Sequence, residues 1–129
     1  MSGKREDRKH SRVELSSHPL KGHLALISGN QVTACLISLK DVSKSGAGVF
    51  AKFEVPVKTR VLLSIEGVSF PPLEGRIVWC SPTRGDPSAP LTHPFRLGID
   101  FSPADDAARE NQLAVYAYIS KVATDSTEE

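Results

Sequence analysis

The stretch FRLGIDF, residues 95–101, decides the fold class of this chain. Apolar side chains occupy its odd positions, and an arginine, a glycine and an aspartate occupy its even ones. A period of two is that of a β-strand with one buried face and one face open to solvent. A single strand has no partner for its backbone hydrogen bonds, so this strand implies further strands elsewhere in the chain.

Five other stretches are short, rich in Val, Ile, Leu and Phe, and separated by turn residues. They are residues 23–28, 31–39, 47–53, 60–67 and 73–80. Gly29–Asn30 predicts a tight turn between the first two of them. Six short strands with compact connections favour an antiparallel β-barrel or sandwich over alternating βαβ units.

Two segments interrupt the strand pattern. Residues 81–94 contain four prolines, so we predict an exposed loop that does not pair as a strand. Residues 102–122 have the pattern of a helix, with Ser102 as the N-cap and Pro103 at the first helical position. Apolar residues then recur at helical spacing, although the run LAVYAYI taken alone also fits a strand. We predict a mainly β domain with a C-terminal α-helix.

The 129 residues suffice for one domain with a hydrophobic core. We expect a flexible N-terminal arm over residues 1–12, a barrel and helix over 13–122, and a disordered tail over 123–129. The chain has no apolar run long enough for a membrane helix, and its N-terminus has no signal-peptide core. We therefore expect a cytoplasmic protein without membrane insertion.

Charge and cysteine usage narrow the partners. The net charge of +1 argues against general affinity for nucleic acid or anionic membranes. Residues 1–12 nevertheless hold five basic and two acidic side chains, so an anionic partner is expected near the start of the chain. Cys35 and Cys80 lie in strand-like runs, which favours reduced thiols over a metal site, with a disulfide between neighbouring strands left open.

Two short motifs stand out against this background. Arg8 and Arg12 form an R-x-x-x-R pair before the first strand, and Asp41, Ser43 and Gly46 form D-x-S-x-x-G between two strands. The second motif by itself is an ordinary turn. Both together, in this order and on a pattern of six strands and a helix, resemble the PilZ domain family.

The resemblance implies a six-stranded antiparallel barrel that binds cyclic di-GMP, a bacterial second messenger. It also implies that the arm folds across the barrel face and clamps this ligand against the Asp-Ser-Gly turn. The receptor would then change conformation and signal to an as yet unidentified protein partner, with a motility, adhesion or biofilm output. The alternative is a pilus or motility adaptor that binds no nucleotide; such family members usually lack one or both motifs.

The chemistry of the five residues agrees with this ligand. An arginine presents a planar fork that binds a phosphate, or the O6/N7 edge of guanine, through two hydrogen bonds. In an extended arm, Arg8 and Arg12 lie up to ~13 Å apart, a span suited to a dinucleotide. Asp41 can accept from the N–H donors of guanine, Ser43 can bond a phosphate or a base, and Gly46 permits a sharp turn.

Other readings are weaker. GAGVFA, residues 46–51, imitates a dinucleotide fingerprint, but a strand pattern follows where that motif needs a helix. The histidines have no metal-ligand spacing and no nucleophile–base pair is evident, so we expect neither a metal site nor an enzyme. The chain is 6% aromatic without an aromatic stripe among basic residues, which argues against binding of DNA or RNA. For Trp79, packing in the core or at the barrel rim is favoured over stacking on a guanine.

Overall fold

The computed structural model describes residues 13–15, 20–87 and 89–127. Within them it contains seven antiparallel strands and one helix. The strands are β1 (Val13–Glu14), β2 (Leu20–Ser28), β3 (Gln31–Val42), β4 (Gly46–Ala51), β5 (Arg60–Ile65), β6 (Leu73–Pro82) and β7 (Phe95–Phe101). The helix is α1 (Asp106–Thr127).

Six of the strands close into a barrel. Their order is β3-β2-β5-β6-β7-β4, and β4 pairs with β3 to complete the circle. The two-residue β1 is an addition that pairs with the end of β3. Closure leaves most strands with a neighbour on each side, which satisfies their backbone hydrogen bonds. The predicted six-stranded antiparallel barrel with a C-terminal helix is confirmed.

The β2–β3 hairpin turns at the predicted position. Gly29 has a φ of 61°, in the left-handed region that glycine adopts without strain, and Ser28 pairs with Gln31 across the two-residue turn. Strand β3 continues to Val42, past residue 39 where the sequence pattern ended it. The other strand ends differ from the predicted ones by only a few residues.

The barrel interior is filled by inward-facing side chains from every long strand. Leu24, Val49, Val61, Ile77 and Leu97 are among the fully buried ones. Both cysteines are free thiols, with Cys35 buried in this core and Cys80 partly exposed. Close packing of branched aliphatic side chains supplies the main stabilisation of the domain.

Helix α1 covers one end of this core through Val115 and Ile119, both buried. The predicted N-cap is wrong: the carboxylate of Asp105, not Ser102, caps the helix by accepting from Ala108 N–H at 2.9 Å. The N–H of Ser102 instead donates to Glu74 O at 2.9 Å, which holds it at the end of the barrel.

Helix α1 also runs to Thr127, five residues beyond residue 122, where the sequence analysis ended it. Neither glycine nor proline occurs in that segment to stop the helix. Among the described residues, no helix has both the length and the apolar character needed to cross a bilayer.

The prediction for residues 81–94 is wrong at its start. Ser81 and Pro82 belong to β6 and pair with Arg96 and Phe95 of β7. Pro82 is tolerated there because it is the last residue of the strand, where the missing N–H costs no ladder bond. The loop proper begins at Thr83.

Candidate functional site

The DVSKSG segment, residues 41–46, connects β3 to β4 through a turn fixed by Ser43. The N–H of Ser43 donates to Gly46 O at 2.8 Å, and its hydroxyl lies 3.4 Å from the same oxygen. The Ser43 hydroxyl also accepts from Ser45 N–H at 3.3 Å. Because Ser43 is only 2% exposed, it supports the turn from inside. The ligand contact expected of Ser43 remains a prediction.

Gly46 is needed for a different reason from the one the sequence suggested. Its φ is not in the left-handed region, which among glycines is occupied by Gly29, Gly67 and Gly85. A Cβ at position 46 would instead lie 2.3 Å from Ile99 O on the adjacent strand β7. Gly46 therefore permits close packing of β4 against β7 rather than a sharp turn.

A β-bulge determines the direction of the Asp41 side chain. Leu39 pairs with Val49 and Asp41 pairs with Gly48, so Lys40 is an extra residue in β3. Leu39 and Asp41 would share the inner face in a regular strand. The bulge reverses this alternation and places Asp41 on the outer face with Gly48. The carboxylate, largely covered, is 3.3 Å from the ammonium group of Lys40.

A second bulge does the same for Trp79. Ile77 pairs with Ile99 and Trp79 pairs with Gly98, so Val78 is the extra residue in β6. Ile77 is fully buried, whereas Trp79 lies on the outside and is 43% exposed. The guanidinium carbon of Arg96 is 5.6 Å from the centre of the indole ring, within the range of a cation–π contact.

The two bulges meet in one row of residues across four neighbouring strands. Asp41 pairs with Gly48, Gly48 with Gly98, and Gly98 with Trp79. At the usual spacing between strands, the two ends of this row are about 14 Å apart. We call this row, Asp41–Gly48–Gly98–Trp79, the glycine trough.

The two glycines leave space for the side chains at the ends of the trough. A Cβ on Gly98 would lie 2.2 Å from Trp79 Nε1, and one on Gly48 would lie 2.9 Å from Asp41 Oδ1. The indole of Trp79 therefore lies over the backbone of Gly98, and the carboxylate of Asp41 lies over the backbone of Gly48. A side chain at either glycine would displace the group that now covers it.

A pocket of about 370 Å³ opens on the glycine trough. Ser45, Gly46 and Asp100 also line it, together with Ala47, Val78 and Ile99. The described lining contains two carboxylates and no lysine or arginine. It therefore offers hydrogen-bond acceptors to N–H donors of a ligand, but no positive charge to bind an anion. None of the described His, Cys, Asp and Glu side chains forms a cluster that could hold a metal ion.

Strand β1 brings the start of the chain to this site. Val13 pairs with Val42, and Glu14 pairs with Asp41. Arg8 and Arg12 lie outside the described residues. Arg12 directly precedes Val13 in the sequence, and Val13 pairs with Val42, the residue between Asp41 and Ser43.

Comparison with known proteins agrees with this architecture. A family model for the PilZ domain matches residues 6–118, which include both motifs. The chain belongs to the PilZ domain family. No curated protein matches it in sequence.

Two solved structures resemble this PilZ domain. One is described as the PilZ domain with c-di-GMP of YcgR from Escherichia coli, with a TM-score of 0.66, 12% identity, and coverage of 95% of this chain and 98% of that one. The other, YcgR in complex with c-di-GMP from Escherichia coli, has a TM-score of 0.61 and 11% identity over 94% of this chain and 49% of that one. At such low identity these matches establish a shared fold.

Sequence reasoning found the motifs and considered Trp79, but it assigned no role to the two glycines of the trough. Gly48, Gly98, Ser45 and Asp100 line the pocket without belonging to either motif. The alternation of FRLGIDF already places Gly98 and Asp100 on the outer face of that strand. Their position opposite the motif depends on the pairing of β4 with β7, which the sequence does not show.

Proposed function

We propose that this PilZ domain is a receptor for cyclic di-GMP, bound between Arg8 and Arg12 on one side and the glycine trough on the other. The observation that carries the proposal is the pairing of β1 with Asp41 and Val42. It brings the segment that follows Arg12 against the end of β3, within reach of the Asp-Ser-Gly turn.

The two motifs contribute side chains of opposite charge to the proposed site. The described pocket lining is acidic, with Asp41 and Asp100, so a ligand with two phosphates needs cations from elsewhere. In the proposal Arg8 and Arg12 supply them through forked hydrogen bonds. Asp41 then accepts from the N–H donors of a guanine, and Gly46 keeps the floor of the pocket free of side chains.

The far end of the trough suits the second part of a dinucleotide. Trp79 presents part of its ring to solvent and already packs against Arg96. A guanine stacked on an aromatic ring gains ~1–3 kcal/mol. The trough length of about 14 Å and the ~13 Å reach between Arg8 and Arg12 both fit a dinucleotide better than a single nucleotide.

The proposal extends to signalling. Closure of residues 1–12 over the trough would be the conformational change, and it would cost ~1–2 kcal/mol of conformational entropy for each residue that becomes ordered. A downstream protein in the bacterial cytoplasm would recognise the closed form. An adaptor that binds no nucleotide is the alternative, and the titration below separates the two.

The test is calorimetric titration of the purified chain with cyclic di-GMP, with GMP and cyclic GMP as control ligands. We expect micromolar or tighter binding of cyclic di-GMP alone. Loss of one forked arginine contact worth ~1–3 kcal/mol should weaken affinity roughly 5- to 150-fold. Arg12→Ala and Asp41→Ala should therefore lose measurable micromolar binding.

Matched substitutions control for charge. Arg5→Ala removes the same charge from the same segment, and Glu54→Ala removes a carboxylate from an exposed loop. Both should retain wild-type affinity, and circular dichroism should show all four variants folded. Absence of binding by the wild-type chain, or unchanged affinity in folded Arg12→Ala and Asp41→Ala variants, would refute the proposal.

A further inference from the structure

We propose that two copies of this chain associate through antiparallel pairing of residues 31–36, the first half of β3, with the same residues of the second copy. This surface lies at the turn end of the β2–β3 hairpin. The Asp-Ser-Gly turn follows the opposite end of β3, so the proposal is independent of the ligand site.

Residues 31–36 form an open strand edge. Strand β2 pairs with β3 from Leu39 to Gln31, but β4 pairs with it only from Ile37 to Val42. On the side away from β2, residues 31–36 therefore have no strand partner in the described part of the chain. The backbone hydrogen bonds between described loops and strands do not involve these residues either.

The alternation of the hairpin identifies the groups on this edge. Hydrogen-bonded and non-hydrogen-bonded pairs alternate along antiparallel strands. With the turn-closing pair Ser28–Gln31 hydrogen-bonded, the next residues to point away from β2 are Val32, Ala34 and Leu36. Their N–H and C=O groups face the open edge and offer three donors and three acceptors to a new neighbour, although the Leu36 carbonyl also accepts a long contact from Cys35 Sγ at 3.7 Å.

This edge lacks the usual protection against strand pairing. Exposed edges in monomeric proteins carry lysines, prolines or bulges that block association. Residues 31–39 contain neither a charged residue nor a proline, and the bulge in β3 lies beyond them, at Lys40. Val32 is 66% exposed and Leu36 is 58% exposed, both on the outer face. Nothing in this segment therefore blocks hydrogen-bonded pairing with a strand of another molecule.

The spacing of these residues favours a second copy as the partner. An antiparallel pairing centred on Ala34 places Ala34 opposite its counterpart and Val32 opposite Leu36 of the second copy. All three are then hydrogen-bonded pairs, which gives about six intermolecular bonds. Outer side chains face outer side chains in this register, whereas a shift by one residue would set them against inner ones. Because the segment is uncharged, self-pairing sets no like charges against each other.

A charge-swap experiment tests the pairing with the full chain. Sedimentation velocity of the wild type over a range of concentrations should show a monomer–dimer equilibrium. Ala34→Lys and Ala34→Glu each place like charges opposite each other, so each variant alone should lose the dimer. An equal mixture of the two should restore it as a heterodimer, since opposite charges then face each other.

Cross-linking tests the register. In a Cys80→Ser background, Ala34→Cys should form an intermolecular disulfide under mild oxidation, because hydrogen-bonded partners have Cα atoms about 5.5 Å apart. The matched Val32→Cys should not, because two copies of residue 32 would lie roughly 13 Å apart.

Three outcomes would overturn the proposal: a wild type that stays monomeric at every concentration, a dimer that survives Ala34→Lys, or equal cross-linking at positions 32 and 34. The first of these would leave the edge to a strand of a different protein. Circular dichroism of each variant establishes that the barrel is folded, so that loss of the dimer reports on the edge.

Discussion

The side-chain amide of Gln112, on helix α1, donates a hydrogen bond to the backbone carbonyl of Lys44 in the Asp-Ser-Gly turn. Gln112 is only 8% exposed, and the bond is partly buried. The two residues are 68 positions apart in the sequence. The C-terminal helix thus holds the turn that carries Asp41 and Gly46, and it couples the candidate site to the end of the barrel.

Gln112→Ala should therefore destabilise the domain and loosen the turn. The substitution removes a partly buried hydrogen bond, and such a bond contributes ~0.5–1.5 kcal/mol to stability. Urea denaturation should show a free energy of unfolding lowered by that amount. If the site binds cyclic di-GMP, its affinity should fall as well, because Asp41 and Gly46 are less firmly positioned.

The neighbouring Asn111 provides a matched control. Its side-chain amide donates to Pro71 O at 3.0 Å, an exposed contact with another loop. Asn111→Ala should lower stability by less than ~1 kcal/mol and leave ligand affinity unchanged. Equal effects of the two substitutions would contradict a specific link between Gln112 and the turn.

The barrel could be predicted from the sequence because alternation is a local signal. FRLGIDF alternates without interruption, and its observed strand has the predicted limits. The directions of Asp41 and Trp79 could not be predicted in this way. Each follows an inserted residue in its strand, and a bulge is defined only by the partner strand. Regular alternation would have placed both side chains inside the barrel.

The helix start shows a different limit of sequence reasoning. Ser102 and Asp105 both precede acidic and helix-forming residues, and both are good N-caps. The choice between them depends on the bond from Ser102 N–H to Glu74 O, which belongs to the barrel. The sequence analysis named Ser102 alone, because local propensity does not register this contact between Ser102 and the barrel.

The two serines of the turn should respond differently to substitution. Ser43 is buried and bonded within the turn, so Ser43→Ala should lower the free energy of unfolding by ~1 kcal/mol. Ser45 lines the pocket and is partly exposed, so Ser45→Ala should lower stability less than Ser43→Ala does and should weaken cyclic di-GMP binding. Chemical denaturation and calorimetry of both variants measure the two effects. A stable Ser43→Ala variant with reduced affinity would instead support direct ligand contact by Ser43.

The histidine of the β6–β7 loop should make stability depend on pH. Burial lowers the pKa of His93 below its ordinary value of 6.5, and the nearby positive charge of Lys52 lowers it further. The unfolded chain then binds a proton more readily than the folded one, so stability should fall as pH drops below about 6.5 toward the lowered pKa. His93→Gln should flatten this part of the stability–pH curve, measured by urea denaturation at a series of pH values. The matched His23→Gln should retain it, and an unchanged curve for His93→Gln would contradict this origin.

Gly98→Ala tests whether the glycine trough depends on bare backbone. The new methyl group would lie 2.2 Å from Trp79 Nε1 and 2.4 Å from Cε2, so the indole must leave its position. Trp79 is the only tryptophan, so its fluorescence reports this movement directly. We expect a shifted emission maximum and weaker cyclic di-GMP binding. Gly48→Ala is the matched control, because its methyl group would meet Asp41 Oδ1 at 2.9 Å and should leave the indole in place. That variant should keep the wild-type emission maximum and still lose affinity. An unshifted emission maximum in a folded Gly98→Ala variant would show that the indole of Trp79 does not lie over Gly98.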